Sequence, residues 1–506
     1  MACLLYPAGK GPASAPFPAQ TIEDLQLGRL AKAMSPSDYY KLTPEELCTL
    51  FTGDKDVLEY RQAVFRDVLC FPALESAMEK LLDSLDGWES RGGSRRGGAD
   101  TFAVGFSLDE FTWLDGYLKK IDAAWREFSG IPVESEGFKA LLGLLDSLRN
   151  SPRYRDAAED FKTLCPGFSA PARMRLGYNL DDELKPGRLK LLAMEPPEDG
   201  KTKAPQKRKM MLTQRAVEMD AMLLQRVSAQ ASQDINTFVI RETAALRGLR
   251  KELIVCLAVR KLVRSWEENG LPACFPELRP PEEKAFRAKG LFDPLLLISD
   301  KELVVSNDIE LQQGGELLIL TGANQGGKTV FLLSMGLGQW LAQLGFPVPA
   351  AEAAVSPAEN ILTIFAPNGQ RYGRKGLLAE EAGRIALAME SLTGGSMVLF
   401  NEPLTSTGPE ETKSISAEVI AVCMAAGARG IWVTHVYELA SNRANLEEAL
   451  PWGSCLGSLR IVLEEVGGET RFTYRVERGE PKGYSHAEDA LRRGGIHLSD
   501  TPAAQA

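Results

Sequence analysis

Residues 315–329 read GELLILTGANQGGKT, and this stretch decides the fold of the part of the chain around it. Leu317–Leu320 is a short apolar run of the kind that forms a buried strand. The residues after it fit the P-loop pattern GxxxxGK[ST], with Gly322, Gly326, Gly327, Lys328 and Thr329 at the defining positions. The apolar segment Val330–Leu344 then has the character of a helix. This order of strand, glycine-rich loop and helix predicts a P-loop α/β domain.

Each residue type in this loop suits a phosphate chain. The glycines let the loop fold tightly with its N–H groups turned inward, and the following helix adds free amides and the positive end of its dipole. Lys328 is predicted to reach the β- and γ-phosphates, and the Thr329 hydroxyl to bind Mg²⁺. The predicted nucleotide-binding residues are Gly322, Ala323, Asn324, Gln325, Gly326, Gly327, Lys328 and Thr329.

A second apolar run, Ser396–Phe400, ends in Asn401-Glu402, where a P-loop ATPase presents the acids that serve its metal and its water. Glu402 is predicted to orient or deprotonate the attacking water. Asn401 is an anomaly on the metal side, because an amide holds a Mg²⁺ hydration shell less strongly than a carboxylate. The alternative is that both residues simply end a strand.

A third candidate strand, Gly430–Val433, runs into Thr434-His435. Ligands of open α/β sheets bind at the carboxyl ends of strands, so His435 is predicted to sense the γ-phosphate. The alternative is a core histidine whose hydrogen bonds are satisfied within the protein.

The composition is that of an ordinary globular protein, with 506 residues and a net charge of −10. The acidic balance argues against a surface that grips nucleic acid everywhere, although basic loops occur near Arg91–Arg96 and Lys201–Lys209. Eight cysteines without a CxxC pair indicate neither a zinc site nor a disulfide framework. Without a signal peptide or an apolar run long enough to span a bilayer, we expect a cytoplasmic protein with no membrane partner.

The fold class predicted is α plus α/β, in which an all-helical core or lever domain precedes the P-loop domain. Apolar residues at spacings of three and four indicate helices between residues 21 and 290, and Thr43 with Glu46 forms a capping box. Short apolar runs alternating with helical ones indicate the sheet, at Glu302–Val305, Leu317–Leu320, Ile361–Phe365, Met397–Phe400 and Ile431–Val433. The runs Leu459–Leu463 and Phe472–Arg475 are predicted to form a terminal hairpin. The expected organisation is a flexible tail at 1–20, the helical domain at 21–290 with loops near 89–100 and 195–210, the ATPase domain at 291–500 and a tail at 501–506.

The strings TGANQGGKT, LFNEP and VTHVYELA, in this order, resemble the ATPase domain of the MutS family. The family pattern runs approximately TGPNMGGKS, then a hydrophobic strand ending in Asp-Glu, then a strand ending in Thr-His followed by Tyr/Phe-Glu-Leu. Residues 472–496 resemble the family's closing hairpin and helix, while residues 56–69 and 176–194 resemble stretches of its helical core. The likeness covers about residues 21–500.

The resemblance implies a function and roles for individual residues. Asn324 corresponds to the asparagine that approaches the γ-phosphate, Glu402 to the catalytic carboxylate and His435 to the switch histidine. The implied cofactors are ATP and Mg²⁺, with Thr329 and Asn401 on the metal. The implied partners are DNA, duplex or branched, and a second copy of the chain, because family members pair their ATPase domains head to tail.

Three departures from the family limit what carries over. The loop that completes the partner's site reads Gly-Arg-Ser-Thr in the family and Gly373-Arg374-Lys375-Gly376 in this chain, and Asn401 replaces an aspartate. Both changes predict that ATP hydrolysis is slow while ATP binding is intact. Since about 20 residues precede the core-like region, we expect no mismatch-recognition domain and therefore a weak preference for mismatches. The string Phe275-Pro276-Glu277 is expected to be accidental, and no nuclease segment is expected after the closing helix.

The leading hypothesis is a MutS-related ATPase that couples ATP binding and hydrolysis to clamp-like closure on DNA, in mismatch repair or recombination-type DNA metabolism. A second hypothesis is a nucleotide-switched interaction protein that hydrolyses ATP poorly. A third is another ABC-like ATPase; it requires a Ser-Gly-Gly-type signature opening a helix, and Thr393-Gly394-Gly395 instead has the character of a turn.

Overall fold

The computed structural model describes residues 3–12, 17–92, 116, 118–152, 154–155, 173–180, 186–195, 244–299, 303–365, 376–404, 406–449, 453–466 and 469–480. The chain divides into two compact units. One, the helical unit, comprises Met1–Ala8 and Arg66–Leu257. The other, the sheet unit, comprises Gly9–Phe65 and Ala258–Ala506.

Helices dominate the described residues up to about 270. The helices are α1 (Ala19–Asp24), α2 (Leu27–Met34), α3 (Pro44–Cys48), α4 (Lys55–Cys70), α5 (Ala73–Gly92), α6 (Glu136–Asn150), α7 (Ala244–Gly248), α8 (Arg250–Glu268), α9 (Lys328–Leu344), α10 (Leu377–Glu390), α11 (Pro409–Ala426), α12 (Tyr437–Ser441) and α13 (Arg443–Ala449), and residues 118–129 are also helical. Among the described residues, no helix has the length and apolar character needed to cross a membrane.

In the described part of the chain, the strands form three sheets. They are β1 (Arg173–Leu180), β2 (Pro186–Glu195), β3 (Glu277–Leu278), β4 (Phe286–Leu291), β5 (Asn307–Glu310), β6 (Glu316–Thr321), β7 (Glu352–Val355), β8 (Ile361–Phe365), β9 (Met397–Asn401), β10 (Arg429–Val433), β11 (Cys455–Val466) and β12 (Glu469–Arg478). Their orders are β1-β2, β3-β7-β4-β5 and β12-β11-β6-β10-β9-β8. In the six-stranded sheet, β11, β6, β10, β9 and β8 run parallel, and β12 is antiparallel to β11.

The helical unit is held together by apolar helix faces and by capping carboxylates. The buried rings of Phe128 and Phe138 stack with their centroids 6.3 Å apart. Asp67 accepts hydrogen bonds from the amides of Glu134 and Ser135, the latter at 2.8 Å, which supports the start of α6. Such side-chain acceptors satisfy amides that a helix end otherwise leaves without partners.

Two features of the helical unit correct the sequence predictions. Residues 173–195, expected to be helical, contain an antiparallel hairpin of β1 and β2, with Arg173 opposite Glu195. The reason is a period of two in MRLGYNL, where apolar residues fall at 174, 176, 178 and 180. Leu4 and Leu5, within the expected loose tail, are buried, and their amides donate to the Glu252 carboxylate at 2.5 and 2.9 Å.

In the sheet unit, the predicted strands at 317–320, 361–365, 397–400 and 431–433, the terminal hairpin and the helix over 330–344 are confirmed. The capping box of α3 is confirmed as well, since Thr43 and Glu46 exchange two hydrogen bonds of 3.2 Å. The strand predicted at Glu302–Val305 was wrong, because Leu303–Val305 is not a strand and β5 begins at Asn307. The apolar side chains of Leu303 and Val305 instead line a cavity.

The helix α9 lies at the centre of the sheet unit. It is buried along most of its length, which matches its apolar residues on every face. Trp340 is completely enclosed, and an added Cβ at Gly336 would stand 2.7 Å from a methyl carbon of Leu399 on β9. The helix that follows the P-loop is therefore fixed against the sheet, so the position of the loop is set by the core.

Candidate nucleotide-binding site

The carboxyl ends of three neighbouring parallel strands, β6, β10 and β9, lie side by side in the six-stranded sheet. Val433 on β10 lies opposite Leu320 on β6 and opposite Asn401 on β9. The backbone continues this pairing past the strands, because the Glu402 amide donates to the Val433 carbonyl at 3.0 Å. The P-loop, Glu402 and His435 follow these strand ends directly, so the sheet register alone brings them to one edge.

The loop Gly322–Gly327 needs its glycines for close approach to the neighbouring hairpin. A Cβ on Gly322 would lie 2.6 Å from Cγ1 of Ile461, and Gly327 has a left-handed φ of 93° with the Tyr474 ring against it. The helix α9 begins at Lys328, and no side chain in the described part of the chain caps its N-terminus. Amides in the first turn of a helix have no partner within the helix, so this end can receive an anion.

Lys328 is the buried cation of the site, with 5% of its side chain exposed. Its Nζ donates to the carbonyl of Gly322 at 2.8 Å and lies 3.3 Å from Oε1 of Glu402. Burial lowers the pKa of Lys328, and the Glu402 carboxylate opposes part of that effect. A buried amine beside a single carboxylate favours further negative charge nearby.

Glu402 is held between two basic side chains. Nε2 of His435 lies 2.8 Å from Oε1 of Glu402. Burial raises the pKa of Glu402, but the hydrogen bond to His435 and the charge of Lys328 outweigh burial, and the net pKa lies below the usual glutamate value. Glu402 also has a left-handed φ of 51°, a conformation that is costly outside glycine and that turns the chain away at the strand end. The carboxylate is thus ionised and oriented.

Thr329 and Asn401 form the predicted metal side of the site. The Thr329 hydroxyl donates to Oδ1 of Asn401 at 3.3 Å. Both groups offer neutral oxygens, which suit Mg²⁺ when it keeps several waters and shares phosphate oxygens. The sheet register therefore brings together these two residues, as it does Lys328, Glu402 and His435.

A cavity of about 760 Å³ extends from the P-loop toward β4, β5 and β12. It is lined by Ala323–Thr329 and Glu402, and on the far side by Phe292, Leu296, Leu303, Val305, Asn307 and Tyr474 among others. The far-side residues were missed from the sequence. The alternation of apolar and polar residues in FTYRV, residues 472–476, is a signal that could have placed Tyr474 on one face of a strand, but nothing local connects that face to the P-loop.

Two further expectations concern loops. Residues 373–375, the core of the expected trans-acting loop, lie outside the described residues. Glu277 is the first residue of β3, and the carbonyl of the preceding Pro276 accepts a hydrogen bond from Gln62 at 3.0 Å. That position is part of the four-stranded sheet.

Comparison with known proteins matches residues 318–487 to the family model of MutS domain V. A DNA mismatch repair protein MutS from Parasynechococcus marenigrum is 32% identical over 197 residues, which cover 38% of this chain and 20% of the relative. An Endonuclease MutS2 from Thermomicrobium roseum is 30% identical over 297 residues, covering 56% of this chain and 33% of the relative. An Endonuclease MutS2 from Geobacillus kaustophilus is 32% identical over 206 residues, which cover 40% of this chain and 24% of the relative.

The chain thus spans a third or less of the length of these relatives. The match to the Thermomicrobium roseum protein is longer than the domain V match, so the likeness continues outside that domain. Together the comparisons support a relation to the MutS family. The part that matches that family's domain V, residues 318–487, contains most of the P-loop strand, Glu402 and His435.

Proposed function

We propose that this chain is a MutS-related ATPase that binds ATP with Mg²⁺ at Gly322–Thr329, hydrolyses it slowly and acts together with DNA. The observation that carries the proposal is the convergence of Lys328, Glu402 and His435, with Glu402 3.3 Å from the lysine amine and 2.8 Å from the imidazole. A P-loop lysine and a carboxylate that can accept a proton from water are groups that phosphoryl transfer uses, and the imidazole is placed to orient that carboxylate.

The residues present fit a nucleoside triphosphate. The uncapped start of α9 and the glycine backbone suit the phosphates, and the cavity toward Tyr474 has room for a ribose and a base. In the proposed roles, Lys328 holds the β- and γ-phosphates, Asn324 approaches the γ-phosphate, and Thr329 with Asn401 holds Mg²⁺ through oxygen atoms. Bound Mg²⁺ neutralises charge that develops on the transferring phosphoryl group.

Glu402 is proposed as the general base for water, and His435 as the side chain that orients it. The lowered pKa of Glu402 keeps the carboxylate unprotonated at neutral pH, so it can accept a proton from the water that attacks the γ-phosphorus. The bond from that phosphorus to the bridging oxygen breaks, and ADP and phosphate result. The aromatic ring of Tyr474 is proposed as a wall for the base.

The relation to MutS and MutS2 proteins, whose names refer to mismatch repair and to endonuclease activity, supports four further proposals. These are that the chain binds DNA, that it forms a homodimer, that it is cytoplasmic and that it closes on DNA like a clamp. The proposed domain organisation is a helical core at 21–290 followed by an ATPase domain at 291–500. Duplex or branched DNA is the proposed ligand, with little preference for a mismatch.

One observation favours a second candidate function. The metal side of the site carries the neutral Asn401 next to Thr329, so the catalytic metal is held without a carboxylate at that position. A protein with this site would bind ATP and release it largely unhydrolysed. The alternative is therefore a nucleotide-switched interaction protein.

ATP binding and turnover by the purified chain test the proposal. Lys328→Ala should abolish tight ATP binding, because charge-assisted contacts to phosphate are worth about 1.5–3 kcal/mol each. Glu402→Gln should keep ATP binding and slow hydrolysis by ~10²-fold or more. The exposed Lys289→Ala and Glu390→Gln serve as matched controls and should behave as wild type.

The outcomes separate the hypotheses. Wild-type protein that fails to bind ATP, or Lys328→Ala with unchanged affinity, contradicts the nucleotide site. Tight binding with no detectable wild-type turnover favours the switch protein over the ATPase.

A further inference from the structure

The Tyr474 ring owes its place to an irregularity in the terminal hairpin. On β11, one residue separates Ile461 from Leu463, while their partners on β12, Val476 and Phe472, are separated by three residues. Tyr474 is the middle of those three and has a left-handed φ of 57°. Such a backbone costs on the order of 1–3 kcal/mol for a residue other than glycine and persists only where its surroundings hold it. The bulge brings the Tyr474 ring against Gly327 of the P-loop.

Asn307 is the side chain that holds this bulge from outside the hairpin. It is the first residue of β5 and is buried. Its Oδ1 accepts from the Val476 amide at 2.8 Å, and its Nδ2 donates to the Tyr474 carbonyl at 3.2 Å. One amide side chain thus satisfies the Tyr474 carbonyl and the Val476 amide, the backbone groups on the two sides of Arg475.

Thr473 holds the same bulge from within the hairpin. Its hydroxyl donates to the Val462 carbonyl at 2.6 Å and accepts from the Arg475 amide at 3.2 Å. The ring of Phe472 stacks on that of Tyr474, at an angle of 29° and a centroid distance of 6.3 Å. Asn307 differs from these supports because it belongs to the other sheet and itself lines the cavity.

We propose that Asn307 is a positioning residue for the nucleotide base, acting through Tyr474. By holding the bulge it fixes the distance between the Tyr474 ring and the P-loop, and so the width of the space that receives the base. This inference rests on the proposed nucleotide site. Asn307 is expected to govern affinity for the base and to leave the phosphate contacts at Gly322–Thr329 untouched.

The test compares two ligands, ATP and inorganic tripolyphosphate, by calorimetric titration. Asn307→Leu keeps the size of the side chain and removes both hydrogen bonds. It should weaken ATP binding about tenfold, equivalent to ~1.4 kcal/mol, and leave tripolyphosphate binding within about twofold of wild type. Thr473→Val loosens the same bulge with an isosteric change and should act in the same direction. Asn360→Leu removes an amide that donates to the Ser391 carbonyl away from the cavity, and should change neither affinity.

A double-mutant cycle separates positioning from general support of the fold. In a Tyr474→Ala background, Asn307→Leu should have no further effect on ATP affinity, because the ring it positions is gone. The inference would be overturned if Asn307→Leu weakened ATP binding and tripolyphosphate binding equally. It would also be overturned if the losses of ATP affinity from Asn307→Leu and Tyr474→Ala added fully in the double variant. If wild type binds neither ligand, the nucleotide site itself fails and the inference with it. If wild type binds both and Asn307→Leu matches it, the inference alone fails.

Discussion

At the residue scale, the proposed balance between ATP binding and ATP hydrolysis turns on Asn401. Its amide oxygen accepts from Thr329 at 3.3 Å, at the place where Mg²⁺ is proposed to bind. Glu402, the adjacent residue, is already engaged by Lys328 and His435. Among the described residues, the metal side of the site therefore offers the neutral oxygens of Thr329 and Asn401, while the water side has an oriented carboxylate.

Asn401→Asp is expected to tighten Mg²⁺ binding and to raise turnover, because a carboxylate beside the metal strengthens its coordination shell. The measurement is ATP turnover over a Mg²⁺ titration, with the exposed Asn442→Asp as the control outside the cavity. Unchanged or weaker dependence on Mg²⁺ would show that position 401 does not face the metal.

At the scale of elements, a buried carboxyl group lies beside β8, the outermost strand of the six-stranded sheet. Asp24, at the end of α1, is buried against β8. The hydroxyl of Thr21, on the same helix, donates to the Ile361 carbonyl at 3.0 Å. Burial raises the pKa of Asp24 to about 6, against smaller opposing effects of Thr363, Gln20 and the charge of Arg384. The packing of α1 on β8 therefore depends on pH.

The sign of that dependence follows from linkage. Asp24 binds its proton more tightly in the folded chain than in the unfolded chain, so its destabilising effect is absent below about pH 4 and grows as pH rises through 6. Asp24→Asn removes the charge, and should raise the free energy of unfolding at pH 7.5 by roughly 2–3 kcal/mol with little change at pH 4.

Denaturant unfolding at pH 4, 5.5 and 7.5 measures this difference, with the exposed Asp38→Asn as the control. A gain that is equal at all three pH values would mean that the variant improves packing without relieving a buried charge. A loss at pH 7.5 would mean that the ionised carboxylate supports the α1 contact.

At the scale of the whole molecule, charge constrains the proposed action on DNA. The chain carries a net charge of −10, so contacts with phosphates must come from local basic surfaces. Contacts with the DNA backbone carry no sequence information.

We therefore expect the chain to bind duplex or branched DNA with little preference for a mismatched pair, and to lose that binding between about 50 and 200 mM salt. Competition between matched and mismatched duplexes of equal length measures the preference. A mismatch preference above about tenfold, or ~1.4 kcal/mol, would contradict the expectation. Binding that does not weaken with salt would contradict the role given to phosphate contacts.

The sequence by itself determined the elements whose signals are local. The order of strand, glycine-rich loop and helix predicted β6 and α9, and apolar runs predicted β8, β9, β10 and the terminal hairpin. The capping box at Thr43 was likewise local, since a helix start depends on four consecutive residues. The prediction of helical structure at residues 173–195 was wrong, although the period of two at residues 174–180 is itself a local signal for a strand.

Only the tertiary structure decided which of these residues meet. Glu402 reaches Lys328 and His435 because the sheet order sets β10 between β6 and β9, and strand order is a property of long-range packing. Asn307 and Tyr474 meet across two sheets, 167 residues apart along the chain. The left-handed backbone at Glu402 and Tyr474 is equally a tertiary effect, because a local cost of this kind is tolerated only when distant contacts outweigh it.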